Sequence, residues 1–464
     1  MKNSFLKHLM ASATIAACGV LLVPVSDAFA QPMEEALVAA YLNNPTLRAE
    51  QASLRATDED VAQAMSNWRP TIELSGDAGY EKNDSSLRTG SDQIQNRQPR
   101  SVSLDISQPL FRGGRTMAEI SEAENNVMAD RAKLTGVEQD ILLGAAIAYL
   151  DIARDAAVLE LNANNEAVHK RQLEATQDRF QVGEITRTDV HQSEARLARS
   201  TADRVQSHST LEAARSAYMN VTGEAAGASI GMPALPPGTP DTKEIAITEA
   251  VLNNPDVISS QYDERAAIDN VDAVWGEMLP EVEFTASTSR DWNTSGESTR
   301  IDSTEAMISV NIPLYQSGSV YSRLRAAKQQ VAQQRLIVDQ QRRNVTEEAS
   351  LAWENMLSAQ AQISSFRTAI QAATIAFDGV EREASVGSRT VLDVLDAEQE
   401  LLDARVSYTR AKHDEAVAVY QLLSSMGRMT AHYLQLPVDF YDPTAHYDEV
   451  RDLWIGEDSS GQWE

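Results

Sequence analysis

Leu42-Asn43-Asn44-Pro45 returns later in the chain as Leu252-Asn253-Asn254-Pro255, and other landmarks return with it in the same order. Arg69-Pro70 matches Leu279-Pro280, Pro109-Leu110-Phe111 matches Pro313-Leu314-Tyr315, and Val182-Gly183 before Asp189-Val190 matches Val386-Gly387 before Asp393-Val394. A nearly constant offset of roughly 200 residues marks a duplicated unit, far longer than a solenoid repeat. Each unit is half a molecule.

Each half opens with a short amphipathic segment that Asn-Asn-Pro breaks, because the residue before proline is pushed out of the helical region. A second helix follows, and then the hydrophobic period changes to two. Ile72, Leu74, Ala78 and Tyr80 alternate with Thr71, Glu73, Ser75, Asp77 and Gly79; Val102, Leu104 and Ile106 alternate with Ser101, Ser103, Asp105 and Ser107. Val282, Phe284 and Ala286, then Ile308, Val310 and Ile312, do the same in the second half. Such segments are strands with one apolar and one polar face. The stretches between them, 81–100 and 290–305, are polar and read as loops.

Beyond Pro-apolar-aromatic and glycine, each half enters a very long helical pattern. In the second, an apolar residue stands at every seventh position: Leu324, Val331, Val338, Val345, Ala352, Ala359, Phe366, Ala373 and Val380. A period of seven held this long imposes a left-handed supercoil. Val-Gly ends each pattern and a return helix follows, giving two antiparallel hairpins. The expected division is an export signal at 1–30 and a first repeat at 31–240, with strands at 71–80 and 101–107, a hairpin at 115–221 and a linker at 222–240. A second repeat follows at 241–428, with strands at 281–288 and 306–313 and a hairpin at 318–427, then a tail at 429–464. The tail is aromatic and acidic, and forms either a small side layer or a loose end.

The start of the chain reads as a targeting segment. Lys2 and Lys7 precede an apolar run that closes on Ala28-Phe29-Ala30. A competing lipoprotein reading rests on Ile15-Ala16-Ala17-Cys18, but the apolar run continues past the cysteine. Cys18 is the only cysteine, so a processed chain has neither disulfides nor a thiolate site. No later run is apolar enough for a membrane helix. A formal charge of -28 and a pI near 4.6 argue against nucleic acid as a partner. The histidines lack paired metal-ligand spacing, and no phosphate loop or nucleophile motif is present, so neither an enzyme nor a cofactor is expected.

Four amphipathic strands fit either a small sheet resting on helices or a wall facing lipid. An export signal, helices too long for a globular body and an acidic polar strand face favour the wall. An open edge in hydrocarbon leaves backbone groups unsatisfied, and four strands are too few for a barrel. Several copies must then share one barrel, continued by a helical tube.

Asn-Asn-Pro, Pro-Leu-Phe-x-Gly-Gly, Phe180-x-Val182-Gly183 before Thr188-Asp189-Val190, and Val386-Gly387-x-Arg389-Thr390-Val391-Leu392-Asp393-Val394-Leu395-Asp396-Ala397 together resemble the TolC family of outer-membrane export channels. The likeness covers essentially the whole chain after the signal. The ending, from Tyr441-Asp442-Pro443 to Trp454, is similar to the branch associated with type I protein secretion. The resemblance implies a homotrimer, mainly α-helical, in which each chain gives four strands to a twelve-stranded outer-membrane β-barrel and two hairpins to a periplasmic α-barrel. It implies passive export of secreted proteins or small toxic molecules. An inner-membrane ABC or proton-driven transporter would supply the energy through a periplasmic adaptor. Asp393 and Asp396 would form the channel constriction, Thr188, Asp189 and Arg389 an entrance latch, and Val182, Gly183, Val386 and Gly387 the tips that meet the adaptor. Ala384 departs from the pattern, standing where well-known members carry an aromatic latch partner. The rival reading is a periplasmic coiled-coil adaptor or scaffold, which would have one hairpin and no repeated strands.

Overall fold

The computed structural model describes residues 32–86, 92–227, 229–296 and 298–456; the expected signal, Cys18 and the last residues of the tail lie outside the described residues. The first repeat comprises α1 (Met33–Asn43), α2 (Pro45–Ser66), β1 (Thr71–Ala78), β2 (Glu81–Ser86), β3 (Asp92–Arg97), β4 (Arg100–Arg112), α3 (Arg115–Gln181) and α4 (Arg187–Thr222). The second comprises α5 (Lys243–Asn253), α6 (Pro255–Gly276), β5 (Glu281–Trp292), β6 (Arg300–Asn311), α7 (Ser319–Ser385) and α8 (Val391–Ser425), and α9 (Ala445–Val450) lies in the tail.

Asn44 and Asn254 do the same two jobs. Both are extended, with ψ 122° and 128°, and each caps the following helix by accepting from the backbone N–H two residues on, at 2.9 Å. Each amide then donates across the fold, Asn44 to the Val221 carbonyl at 2.9 Å and Asn254 to the Ser425 carbonyl at 3.2 Å. The break in the chain therefore also pins the end of its own hairpin.

The strands form one antiparallel sheet in the order β1-β4-β5-β6. Its register stacks like on like. Ile72, Ile106, Ala286 and Ala306 form one row, and Glu73, Asp105, Ser287 and Glu305 form the neighbouring row on the other face. The irregularity between Pro109 and Phe111 brings Phe111 opposite Val282 and thus onto the apolar face. Two expected loops are corrected. β2 and β3 pair as a polar hairpin within 81–100, and β5 and β6 run on to Trp292 and Arg300.

α3 and α7 are each 67 residues long, about 100 Å at the helical rise. Every residue of the seven-spaced row on α7 from Leu324 to Val380 is buried or half-buried. Around the middle of the hairpins Leu142, Leu150, Tyr218, Leu422, Leu423 and Met426 are fully enclosed; burying such a side chain contributes about 1.5–3 kcal/mol. Gly113 and Gly276 let the start of the first hairpin touch the end of α6. A Cβ on Gly276 would lie 2.7 Å from the Gly113 carbonyl oxygen.

The packing of the repeats is unequal. α6 lies against both α3 and α7, whereas its counterpart α2 lies against α3 and, among the described residues, packs closely on no second long helix. α7 meanwhile exposes Leu336, Leu351 and Ile375. The tail is a side layer, with α9 packed on α2.

Candidate functional site

The hairpin tips are built alike from their sequences. Val182 and Val386 are 72% and 79% exposed. The glycine after each takes φ near +80°, which only glycine adopts without strain. The turn closes by paired bonds, Glu184 N–H to the Arg179 carbonyl and Ser388 N–H to the Glu383 carbonyl being the outer ones. Each return helix then starts with a capping box. Thr186 and Thr390 accept from Asp189 and Asp393 N–H, and those carboxylates accept from the threonine N–H groups at 2.9 Å. The bonds from Thr390, with Arg389 beside it, hold the Asp393 carboxyl below its ordinary range.

Asp393 thus closes a helix end, and Asp396, one turn on, points elsewhere. Its carboxylate accepts from Arg196 of α4 at 2.5 Å, which joins the second hairpin to the first. Arg389 is bonded to Glu383 of its own hairpin at 2.9 Å, and Asp189 to Thr186. Within one chain, the expected latch residues Thr188, Asp189 and Arg389 are therefore not brought together. Thr188 is exposed. Thr-x-x-Asp at 186–189 and 390–393 is the signal from which the caps could be found; Arg196 had no local signal.

Above the tips a polar node joins the hairpins. His169 of α3 is 2% exposed, with Nδ1 lying 3.7 Å from the Glu398 carboxylate of α8, in charge range but outside hydrogen-bond reach. Burial and then the nearby Glu381 push Glu398 up to about 7, against Arg171. Burial and then Arg196 push His169 down. Both groups are held toward neutrality. Further along, His413 of α8 bonds Asp151 of α3 at 2.9 Å and Asp414 at 3.0 Å. Burial opposes its charge, but these bonds prevail and raise its pKa.

At the opposite end the sheet offers a polar face rich in carboxylates and an apolar face left bare. Ile72, Leu74, Ile308 and Val310 are between 59% and 73% exposed. The molecule thus combines a lipid-compatible wall, an acidic surface behind it and tips far below. The outer membrane efflux protein model matches residues 36–224 and 246–428, once per repeat. The chain belongs to the outer membrane efflux protein family. It is 34% identical to the outer membrane efflux protein BepC of Brucella suis over 97% of this chain and 96% of that one. It is 25% identical to the outer membrane protein TolC of Vibrio cholerae, over 92% and 96%. The CmeC outer membrane channel of Campylobacter jejuni shares the fold at 14% identity, with a TM-score of 0.77 over 90% of this chain and 89% of that one. The protein is an outer-membrane export channel of the TolC type, and the scaffold reading is not favoured.

Proposed function

We propose that three copies of this channel close a twelve-stranded barrel and a helical tunnel, through which substrates leave passively. One observation carries the reading: among the described residues the sheet ends in two unpaired edges, β1 and β6, while its apolar face is bare. Four alternating strands leave those edges running in opposite directions, so β6 of one copy meets β1 of the next antiparallel, as every other pair in the sheet does. Closure leaves no backbone group unpaired in lipid. The missing second neighbour of α2 fits the same ring, because α7 of an adjoining copy would stand to α2 as α7 stands to α6 within the chain.

In this assembly Asp393 and Asp396 from three chains converge as an acidic constriction, and the exposed tips Val182-Gly183 and Val386-Gly387 meet a periplasmic adaptor. An ABC or proton-driven inner-membrane transporter supplies the energy. Arg196 takes the role of hairpin-to-hairpin link that Ala384 cannot fill. The test is single-channel current across a planar bilayer with trivalent cation added on the tip side. Block by the cation, weakened at least tenfold in the double variant Asp393→Asn/Asp396→Asn, is expected at about 1.4 kcal/mol per decade. Equal block of both proteins would refute the constriction, and the absence of any channel would refute the barrel.

A further inference from the structure

The tail follows one continuous path along the seam of α2 and α3. Near its start Ala431 N–H donates to Glu138 at 2.7 Å. Tyr447 then lies under the Arg131 guanidinium at 5.1 Å, and Arg451 bonds Glu124 at 3.3 Å. Its last described residues reach the junction of α2 and β1, where Arg69 donates to the Leu453 carbonyl and stacks on the Trp454 ring at 5.1 Å. Because α3 starts at the sheet and runs away from it, falling residue numbers along α3 mean that the tail climbs toward the sheet. It delivers Leu453, Trp454 and Ile455, which are 46%, 67% and 92% exposed. Beside Arg69 stands Trp68, itself 53% exposed, whose carbonyl accepts from Gln108 of β4. This exposed apolar stretch of the tail is thus held on Arg69, next to exposed Trp68 and two residues before the start of β1.

We infer that Leu453-Trp454-Ile455 is a membrane-interface anchor that seats in the periplasmic leaflet of the outer membrane beside the barrel. Tryptophan suits this depth, having an apolar ring and a polar N–H, and an arginine beneath it faces lipid phosphates while its stem stays in apolar surroundings. Arg69 is the clasp. It fixes Leu453-Trp454-Ile455 at the height where hydrocarbon gives way to headgroups, so the tail ties the helical seam to the bilayer.

The inference rests on the sheet facing lipid, and the test separates the two. Spin labels are placed singly, with Cys18 replaced by serine, at Ile455→Cys, at Val310→Cys on the apolar strand face and at Asp448→Cys on α9. The full-length protein is reconstituted in phosphatidylethanolamine–phosphatidylglycerol vesicles. Collision with oxygen relative to a water-soluble nickel chelate reads depth. The ratio at 455 is expected to lie several-fold above that at 448 and close to that at 310, and to fall toward that at 448 when Arg69→Gln is added. A ratio at 455 equal to that at 448 overturns the anchor, as does a label at 455 shielded from both reagents, which would mean cover by protein. A water-like ratio at 310 instead overturns the barrel, and the anchor with it.

Discussion

Thr390 tests how far the tip depends on its caps. The hydroxyl satisfies one of the free N–H groups at the start of α8, and removal of a threonine N-cap costs about 1 kcal/mol. Thr390→Ala should therefore speed amide exchange over the first turn of α8, and Thr390→Ser should not; equal exchange in the two would separate the cap from stability. Arg196 makes a sharper case. Its partner Asp396 is more than half exposed, so the pair contributes at most about 1 kcal/mol, yet its charge would lie at the proposed constriction. Arg196→Ala should leave Asp396 unneutralised and strengthen cation block several-fold in bilayer recordings. Unchanged or weaker block would show that the arginine does not shape the field at the entrance. No reading of the sequence could find this pair, since Arg196 and Asp396 lie in different repeats, seven and three residues after the capping aspartates Asp189 and Asp393, and Arg196 belongs to no local motif.

Helices and strands were legible wherever burial imposes a period. The row from Leu324 to Val380 is buried because a long helix keeps one face against a neighbour, and strand alternation survives because one face of the sheet is apolar. The hairpin of β2 and β3 was read as loop because Glu81-Lys82-Asn83-Asp84-Ser85-Ser86 is polar on both faces and has no alternation to detect. The tail was undetermined for a related reason, its aromatic residues packing singly against α2 and α3. At this scale the tips should respond to pH. Glu398 is raised above its unfolded value, so the stability it lends is present at low pH and is lost as pH rises from the ordinary glutamate range through about 7. Amide protection near the tips of α3 and α8 should fall as pH rises from 4.5 to about 7, and Glu398→Gln should flatten the change. A wild-type profile already flat would rule Glu398 out as its source. His413 adds in the same direction, its raised pKa meaning stability lost as pH rises through its folded value. Tip glycines belong here too. With φ near +80° at Gly183 and Gly387, replacing both with valine should distort the turns and abolish export while leaving assembled channel in the membrane; export at the normal rate would deny the tips a docking role.

Whole-molecule closure is the step that one chain leaves undone, and the duplicated sequence already hinted at it. Two equivalent halves, with α6 packed between α3 and α7 and α2 packed on α3, fit the proposed ring, in which the junction between copies would resemble the junction between repeats. Cysteine pairs joining β1 to β6 should bridge copies and never close within a chain. A panel combining Leu74→Cys with Ala306→Cys, Ile308→Cys or Val310→Cys should yield a covalent trimer on a denaturing gel under oxidising conditions. Monomer across the panel would exclude the shared barrel.

The bare edges of β1 and β6 also have a genetic corollary. In the proposed trimer, a wall assembled from the strands of sister molecules would have no private part, so one defective copy would spoil the work of two sound ones. An allele that places a charge on the greasy side of β6 would behave as dominant, harming cells that still make the normal product.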